Sequence, residues 1–217
     1  GESLVNLYRR LTVEDVRYVG KVEVAEATKV IENVQRDINI ALVNELAQIF
    51  PELDLDVEDV LSAAATKWNF HRYTPGIGVG GHCIPVDPYY MMQRAQEVGV
   101  PAELITAARA VNRMMPRHVS GVLRELLYRA GVPAGDGRVL FLGWSYKAGV
   151  GDARETPADP LADSLIEAGI SVSTWDPYLS ADDIPDGIGV IEDVDDASGF
   201  DMVVLATAHP ECKDLDW

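Results

Sequence analysis

The chain has 217 residues, 47% of them hydrophobic, which is enough apolar material for one large or two ordinary globular domains and excludes a disordered chain. Thirty-five acidic residues against eighteen basic ones give a net charge of −17, which argues against nucleic acid and against an anionic membrane surface as partners. No apolar run approaches the roughly 20 residues of a membrane span, and the opening GESLVNLYRR has no apolar stretch of the kind that directs secretion.

The charge is unevenly drawn. Only five of the basic residues are lysines (Lys21, Lys29, Lys67, Lys147 and Lys213), and twenty of the acids are aspartate. That balance is expected of a halophile's cytoplasmic protein, or of an acidic mesophilic surface. An anionic ligand would need locally concentrated positive charge, so basic residues within motifs are informative. Cys83 and Cys212 lie 129 positions apart. They form neither a disulfide framework nor a metal-binding pair and suit a reducing cytoplasm.

Residues 1–21 read as a short helical lead-in (Leu4, Leu7, Tyr8, Leu11) joining abruptly to the next element, as if something upstream were missing. A long helix is expected from Val22 to Phe50, with apolar residues at 27, 30, 31, 34, 38, 41, 42, 46 and 49, the spacing of a buried face. Lys29 and Asn33, four apart, stand one above the other on it, with Asn44 near the same side. Polar groups on so apolar a helix form a costly core network, a site wall or a solvated stripe. A second helix is expected over Asp54–Ala65, capped by Asp56 with Glu58 and Asp59 in its first turn.

Next comes YTPGIGVGGHCIPVDPYY, residues 73–90. Four glycines (Gly76, Gly78, Gly80, Gly81) precede Cys83, and Asp87 lies four residues beyond it. Glycines let the backbone come within contact distance of a ligand, while Pro85 and Pro88 stiffen the chain after the cysteine. Such a loop could present a nucleophilic sulfur. It could equally be a surface loop with an incidental thiol. Helices are expected over Tyr89–Val98 and Pro101–Ala130, the latter broken at Pro116, with His118 as a surface or satisfied core residue.

After Gly131 the character changes. GVPAGDG (131–137) is linker-like, strands are expected at 138–144, 170–175, 188–191 and 202–205, and a helix over Pro157–Ala168. Strand, helix, strand implies a parallel sheet with helices on its faces, and ligands beyond the strands' carboxyl ends. Ser145, Tyr146, Lys147 and Arg154 fall there. The fold class is therefore α plus α/β. A helical domain over residues 1–130 precedes a Rossmann-like parallel-sheet domain over 131–217, with the latter expected to be truncated at its C-terminal end.

Three stretches in one order, AEATKVIENVQRDINIALVNE (25–45), GIGVGGHCIPVDPYY (76–90) and FLGWSYKAGVGDARETPA (141–158), resemble the UDP-sugar 6-dehydrogenases. The resemblance covers residues 8–210. GGHC and DPYY, with ATKWNF (65–70) before them, are more similar to the UDP-N-acetylhexosamine branch than to the UDP-glucose branch.

The resemblance implies a four-electron oxidation of a sugar C6 hydroxyl to a carboxylate with two NAD⁺, as used in polysaccharide biosynthesis. It implies Cys83 as the nucleophile that holds the intermediate as a thioester. Lys29 and Asn33 would stabilise the oxyanion at C6, and Asp87 would position or activate water. Lys147 and Arg154 would contact substrate in a UDP-binding domain, Arg154 also the cofactor. Lys67 would reach a neighbouring subunit's substrate, and Arg72, Tyr73 and Thr74 would lie along the uracil. Arg72 stands where an aromatic is common. Gly76, Gly80 and Gly81 would line the substrate, and no metal is implied. The family dimerises through its central helix, so a homodimer is expected. Cys212, His71 and His209 receive no role.

The family's NAD domain carries G-x-G-x-x-G after a strand. GIGVGG (76–81) nearly spells it, but comes after a loop and runs into Cys83; Gly143 comes after a strand without partner glycines. The cofactor domain is thus expected to lie outside these residues, and the polypeptide alone to be inactive. Two other classes compete: a binding or assembly module that kept the fold, and an unrelated thiol enzyme. The latter needs a histidine base near Cys83, and the adjacent His82 cannot easily serve the same sulfur.

Overall fold

A computed structural model describes residues 2–133 and 135–215, with the side chains of 195 and 196 left aside. Helix α1 (Glu2–Tyr8) buries none of its residues. Helix α2 (Val22–Ile49) is the longest element, and its buried face mixes Val34, Ala41 and Val43 with Asn33, Asp37 and Asn44. Helix α3 (Val57–Ala64) is shorter than its sequence suggests, because Asp56 caps it: that carboxylate accepts from the backbone N–H groups of Glu58 and Asp59. Helix α4 (Asp87–Glu97) begins two residues earlier than expected, with Pro88 in its first turn, where a missing N–H costs nothing.

Helix α5 (Glu103–Arg129) corrects the expected break, since it runs through Pro116 without interruption. Packing explains this. The helix is gripped along α2 and again along α6 (Ala158–Ile166), and Pro116 itself is buried. Proline deprives the Asn112 carbonyl of its intrahelical donor. Gly78 lies over that place, and a Cβ on it would sit 3.5 Å from the Asn112 oxygen and 3.1 Å from Pro157.

The second half holds one described sheet, β1 (Arg138–Leu142), β2 (Ser171–Trp175), β3 (Gly189–Val190) and β4 (Met202–Leu205), in the order β3-β2-β1-β4. All pairings are parallel; Val139 faces Val172 on one side and Met202 on the other. The order reverses at β1, so the switch point, where sheets of this kind bind ligands, lies between β1 and β4.

Two hydrophobic clusters cover the sheet. The larger joins Val139, Phe141 and Val172 to Leu161 and Leu165 of α6, and also to Leu123 and Leu127 of α5. The last turns of α5 therefore belong to the core of the α/β part. The smaller gathers Leu140, Leu142 and Cys212 on the opposite face. Among the described residues no helix is long and apolar enough to cross a membrane.

Candidate active site

The segment around Cys83 is built as a turn opening α4. The Cys83 carbonyl accepts from the N–H groups of Val86 (3.1 Å) and Asp87 (2.9 Å), which sets the aspartate one turn from the cysteine. Buried Pro85 and Pro88 pin that turn, and the thiol stays exposed. From α2, the buried Asn33 side chain donates to Asp87 Oδ2 at 2.6 Å. The helix amide and the residue beyond the cysteine thus meet directly.

Lys29 is not drawn into this contact. Its ammonium is exposed and pairs with Glu32 at 3.1 Å on the same helix. Asn44 belongs to a deeper network. Its amide nitrogen donates to Asn112 Oδ1 (2.9 Å), Asn112 donates to Asp37 Oδ1 (2.8 Å), and Arg109 pairs with the same oxygen (2.5 Å). Burial pushes the Asp37 carboxyl up, and Arg109 and Asn112 pull it part of the way back. Asn44 Oδ1 also accepts the Gly76 N–H at 2.9 Å, so this network anchors the start of the glycine segment.

Gly80 and Gly81 have a packing reason to be glycine. A Cβ on Gly80 would lie 2.7 Å from Tyr146 Cβ, and one on Gly81 would lie 2.8 Å from the Tyr146 ring. Gly81 also has φ +82°, where side chains are strained. Tyr146 therefore joins the loop after β1 to the cysteine loop. Arg72 pairs with Glu58 on α3, Lys67 is exposed beside the almost fully exposed Trp68 (94%), and Tyr73 is half-buried. Arg72 and Tyr73 border an open cavity of about 720 Å³ against Arg36 and Asn39 of α2.

Beyond β1, Lys147 and Arg154 are exposed. The Arg154 guanidinium forks onto Asp152 (Nε at 2.9 and 3.2 Å, a terminal nitrogen at 2.5 Å). These hydrogen bonds bring Asp152 down to about 2. Arg154 and the Cys83 sulfur lie within electrostatic range of one another. Ser145 corrects the expectation of a ligand-facing side chain: it is fully buried, and its hydroxyl donates to Asp176 at 2.9 Å.

Two residues of consequence carry no recognisable motif, Asp176 and His209. Asp176 Oδ2 accepts from the backbone N–H groups of Trp144 and Ser145 (both 2.8 Å) and from His209 Nε2 (3.0 Å), while Oδ1 accepts from Tyr178 N–H (2.9 Å). Burial acts to raise this carboxyl, but the hydrogen bonds outweigh it and hold Asp176 below the usual carboxylate value. Both residues sit just past a strand's carboxyl end, in WDP and ATAHP, and that position is the signal in the sequence that could have found them.

The Trp144 and Ser145 N–H groups after β1 are given to Asp176 and so are not free to cradle a phosphate there. Among the described residues there is also no cluster of three His, Cys, Asp or Glu placed to hold a metal.

The fold is thus a helical part bearing an exposed thiol, joined through Tyr146 at its glycine run to the carboxyl edge of a parallel sheet. Residues 23–114 match the UDP-glucose/GDP-mannose dehydrogenase family, central domain, and residues 140–217 match its UDP binding domain. The chain belongs to this family. It is 40% identical over 215 residues to a UDP-N-acetyl-D-glucosamine 6-dehydrogenase of Pseudomonas aeruginosa, spanning 99% of this chain and 51% of that protein. Among solved structures it resembles a UDP-D-ManNAc dehydrogenase from Pyrococcus horikoshii (33% identity, TM-score 0.85). It also resembles a UDP-glucose dehydrogenase from Pyrobaculum islandicum (27% identity, TM-score 0.86). Each of these two likenesses covers 100% of this chain and 50% of the other. The chain thus spans about half the length of the relatives it matches.

Proposed function

We propose that these residues are the thiol-bearing and UDP-binding part of a UDP-N-acetylhexosamine 6-dehydrogenase, which oxidises the sugar C6 hydroxyl to a carboxylate. The observation that carries this is the 2.6 Å bond from Asn33 to Asp87, which sets a helix amide and a carboxylate one turn from an exposed cysteine. Lys147 and Arg154 take the anionic nucleotide at the sheet edge, and Arg154 keeps a positive field at the thiol.

In this reading the Cys83 thiolate adds to the C6 aldehyde carbon, and the carbonyl electron pair moves onto oxygen. Lys29 swings from Glu32 to meet that oxyanion, a movement open to an exposed, flexible side chain. Asn33 holds Asp87 in place, and Asp87 takes a proton from the water that attacks the later thioester, releasing the thiolate and the carboxylate product. NAD supplies the oxidant, and its site lies outside the residues described. Lys67, Arg72 and Tyr73 contribute around the uracil and sugar, in part toward a second subunit. A UDP-glucose substrate is the second reading, favoured by the likeness to the Pyrobaculum enzyme.

Alkylation tests the proposal. Iodoacetamide modifies exposed Cys83 and not buried Cys212, and UDP-N-acetylglucosamine slows that reaction at least tenfold, more than UDP-glucose does. Equal rates with and without either nucleotide sugar overturn it; stronger protection by UDP-glucose shifts the substrate to the second reading.

A further inference from the structure

A polar cluster outside the cysteine site lies at the switch point, past the carboxyl ends of β1 and β4. The segment Gly143–Gly149 leaves β1 and is tied down at both ends. At the first end Asp176 takes the Trp144 and Ser145 N–H groups, and Thr207 Oγ1 donates to the Ser145 carbonyl at 2.5 Å. Gly143 has φ +86°, and a Cβ there would sit 2.5 Å from the Thr207 carbonyl oxygen, so β1 and the segment after β4 are in direct contact. At the second end the Gly149 N–H donates to His209 Nδ1 at 3.1 Å. The other ring nitrogen faces Asp176 Oδ2 at 3.0 Å.

One imidazole therefore closes the loop. Accepting at Nδ1 requires that nitrogen to be unprotonated, which fixes the tautomer as Nε2–H donating to Asp176. His209 is 1% exposed, and the Tyr178 ring lies against it at 5.0 Å between centroids. A group so enclosed cannot reach a substrate; its work is done through what it holds. Between the two anchors stand Tyr146, whose Cβ abuts Gly80 and whose ring lies against Gly81 ahead of Cys83, and Lys147, which is exposed.

We infer that His209 is a positioning residue: with Asp176 it staples both ends of the 143–149 loop, aiming Lys147 at the nucleotide and Tyr146 at the glycine pair before Cys83. The part concerning the nucleotide rests on the function proposed above. A histidine suits the task because its two nitrogens point in different directions, one accepting and one donating. Asparagine reproduces the Nδ1 side, with an acceptor for Gly149. Glutamine reproduces the Nε2 side, with a donor for Asp176.

The test uses the 217-residue chain, with amide exchange read over 143–149 and UDP affinity read by calorimetry. His209→Ala is expected to cut protection of the Gly149 amide at least tenfold and to weaken UDP binding about tenfold, the scale of one or two lost hydrogen bonds. His209→Asn restores protection at Gly149 and His209→Gln does not, a contrast that general loosening of the fold would not give. Because His209 acts through the loop, adding His209→Ala to Lys147→Ala is expected to cost no further affinity. Unchanged exchange over 144–149 in His209→Ala and His209→Gln overturns the inference, as do losses with Lys147→Ala that simply multiply. Should the unaltered chain fail to bind UDP, the functional reading falls while the exchange data still decide the staple.

Discussion

At Asp176 a single carboxylate organises the turn on which the nucleotide is proposed to rest. Its folded value is depressed, so its contribution to stability is complete above the ordinary carboxylate value and fades as pH falls through the lower folded one. Asp176→Asn offers one acceptor and two unwanted donors to five converging N–H and O–H groups. It should cost about 2–3 kcal/mol near neutrality. In melting experiments the gap between variant and parent should stay constant above about pH 5 and narrow below about pH 4. A gap that widened in acid would contradict the depressed value. At Cys83, by contrast, the residue type and its glycine run already pointed to exposed sulfur, because no buried partner is needed to place a thiol on such a loop.

Contacts between elements turn separate motifs into a site. Helix α2 holds the cysteine turn through Asn33, and the sheet unit meets the glycine run ahead of it through Tyr146, Glu155 and Pro157. Gly81→Ala is accordingly expected to destabilise the protein by about 1–3 kcal/mol, from positive φ and the crowding of the ring together. It should also speed alkylation of Cys83 by loosening the loop. Gly99→Ala, which has positive φ but open space around it, is the control and should leave Cys83 unaffected. The unbroken α5 makes the same point in reverse. Pro116 signals a break by its chemistry, yet packing against α2 and α6 holds the helix through it.

Over the whole molecule, apolar side chains remain exposed on several elements, and one set of them lies on a second face of α2. Ile31, Leu42 and Ile49 are about half exposed, and their spacing puts them in one stripe, well away from the buried face. We propose that a second copy of the chain covers it. Light scattering should give the mass of a dimer, and Leu42→Glu should give a monomer with the same helix content, since the side chain is 52% exposed within one chain. A monomeric parent protein would refute the pairing. The −17 charge does not oppose pairing through α2, since residues 1–130 carry 17 acidic and 14 basic residues, a net of −3, and the remaining −14 lies in residues 131–217.

The sequence by itself determined the order of elements, the class of fold and the residues carried by the three motifs. Each of those depends on local periodicity, on a cap such as Asp56, or on short spacing along one backbone. Tertiary structure alone decided that Asn33 grips Asp87, that Lys29 turns to Glu32, and that Ser145 faces inward. It alone brought Asp176 and His209, 33 positions apart, onto one loop. Strands adjacent in a parallel sheet are distant in sequence, so groups at their ends meet through the strand order, and no local pattern records that meeting.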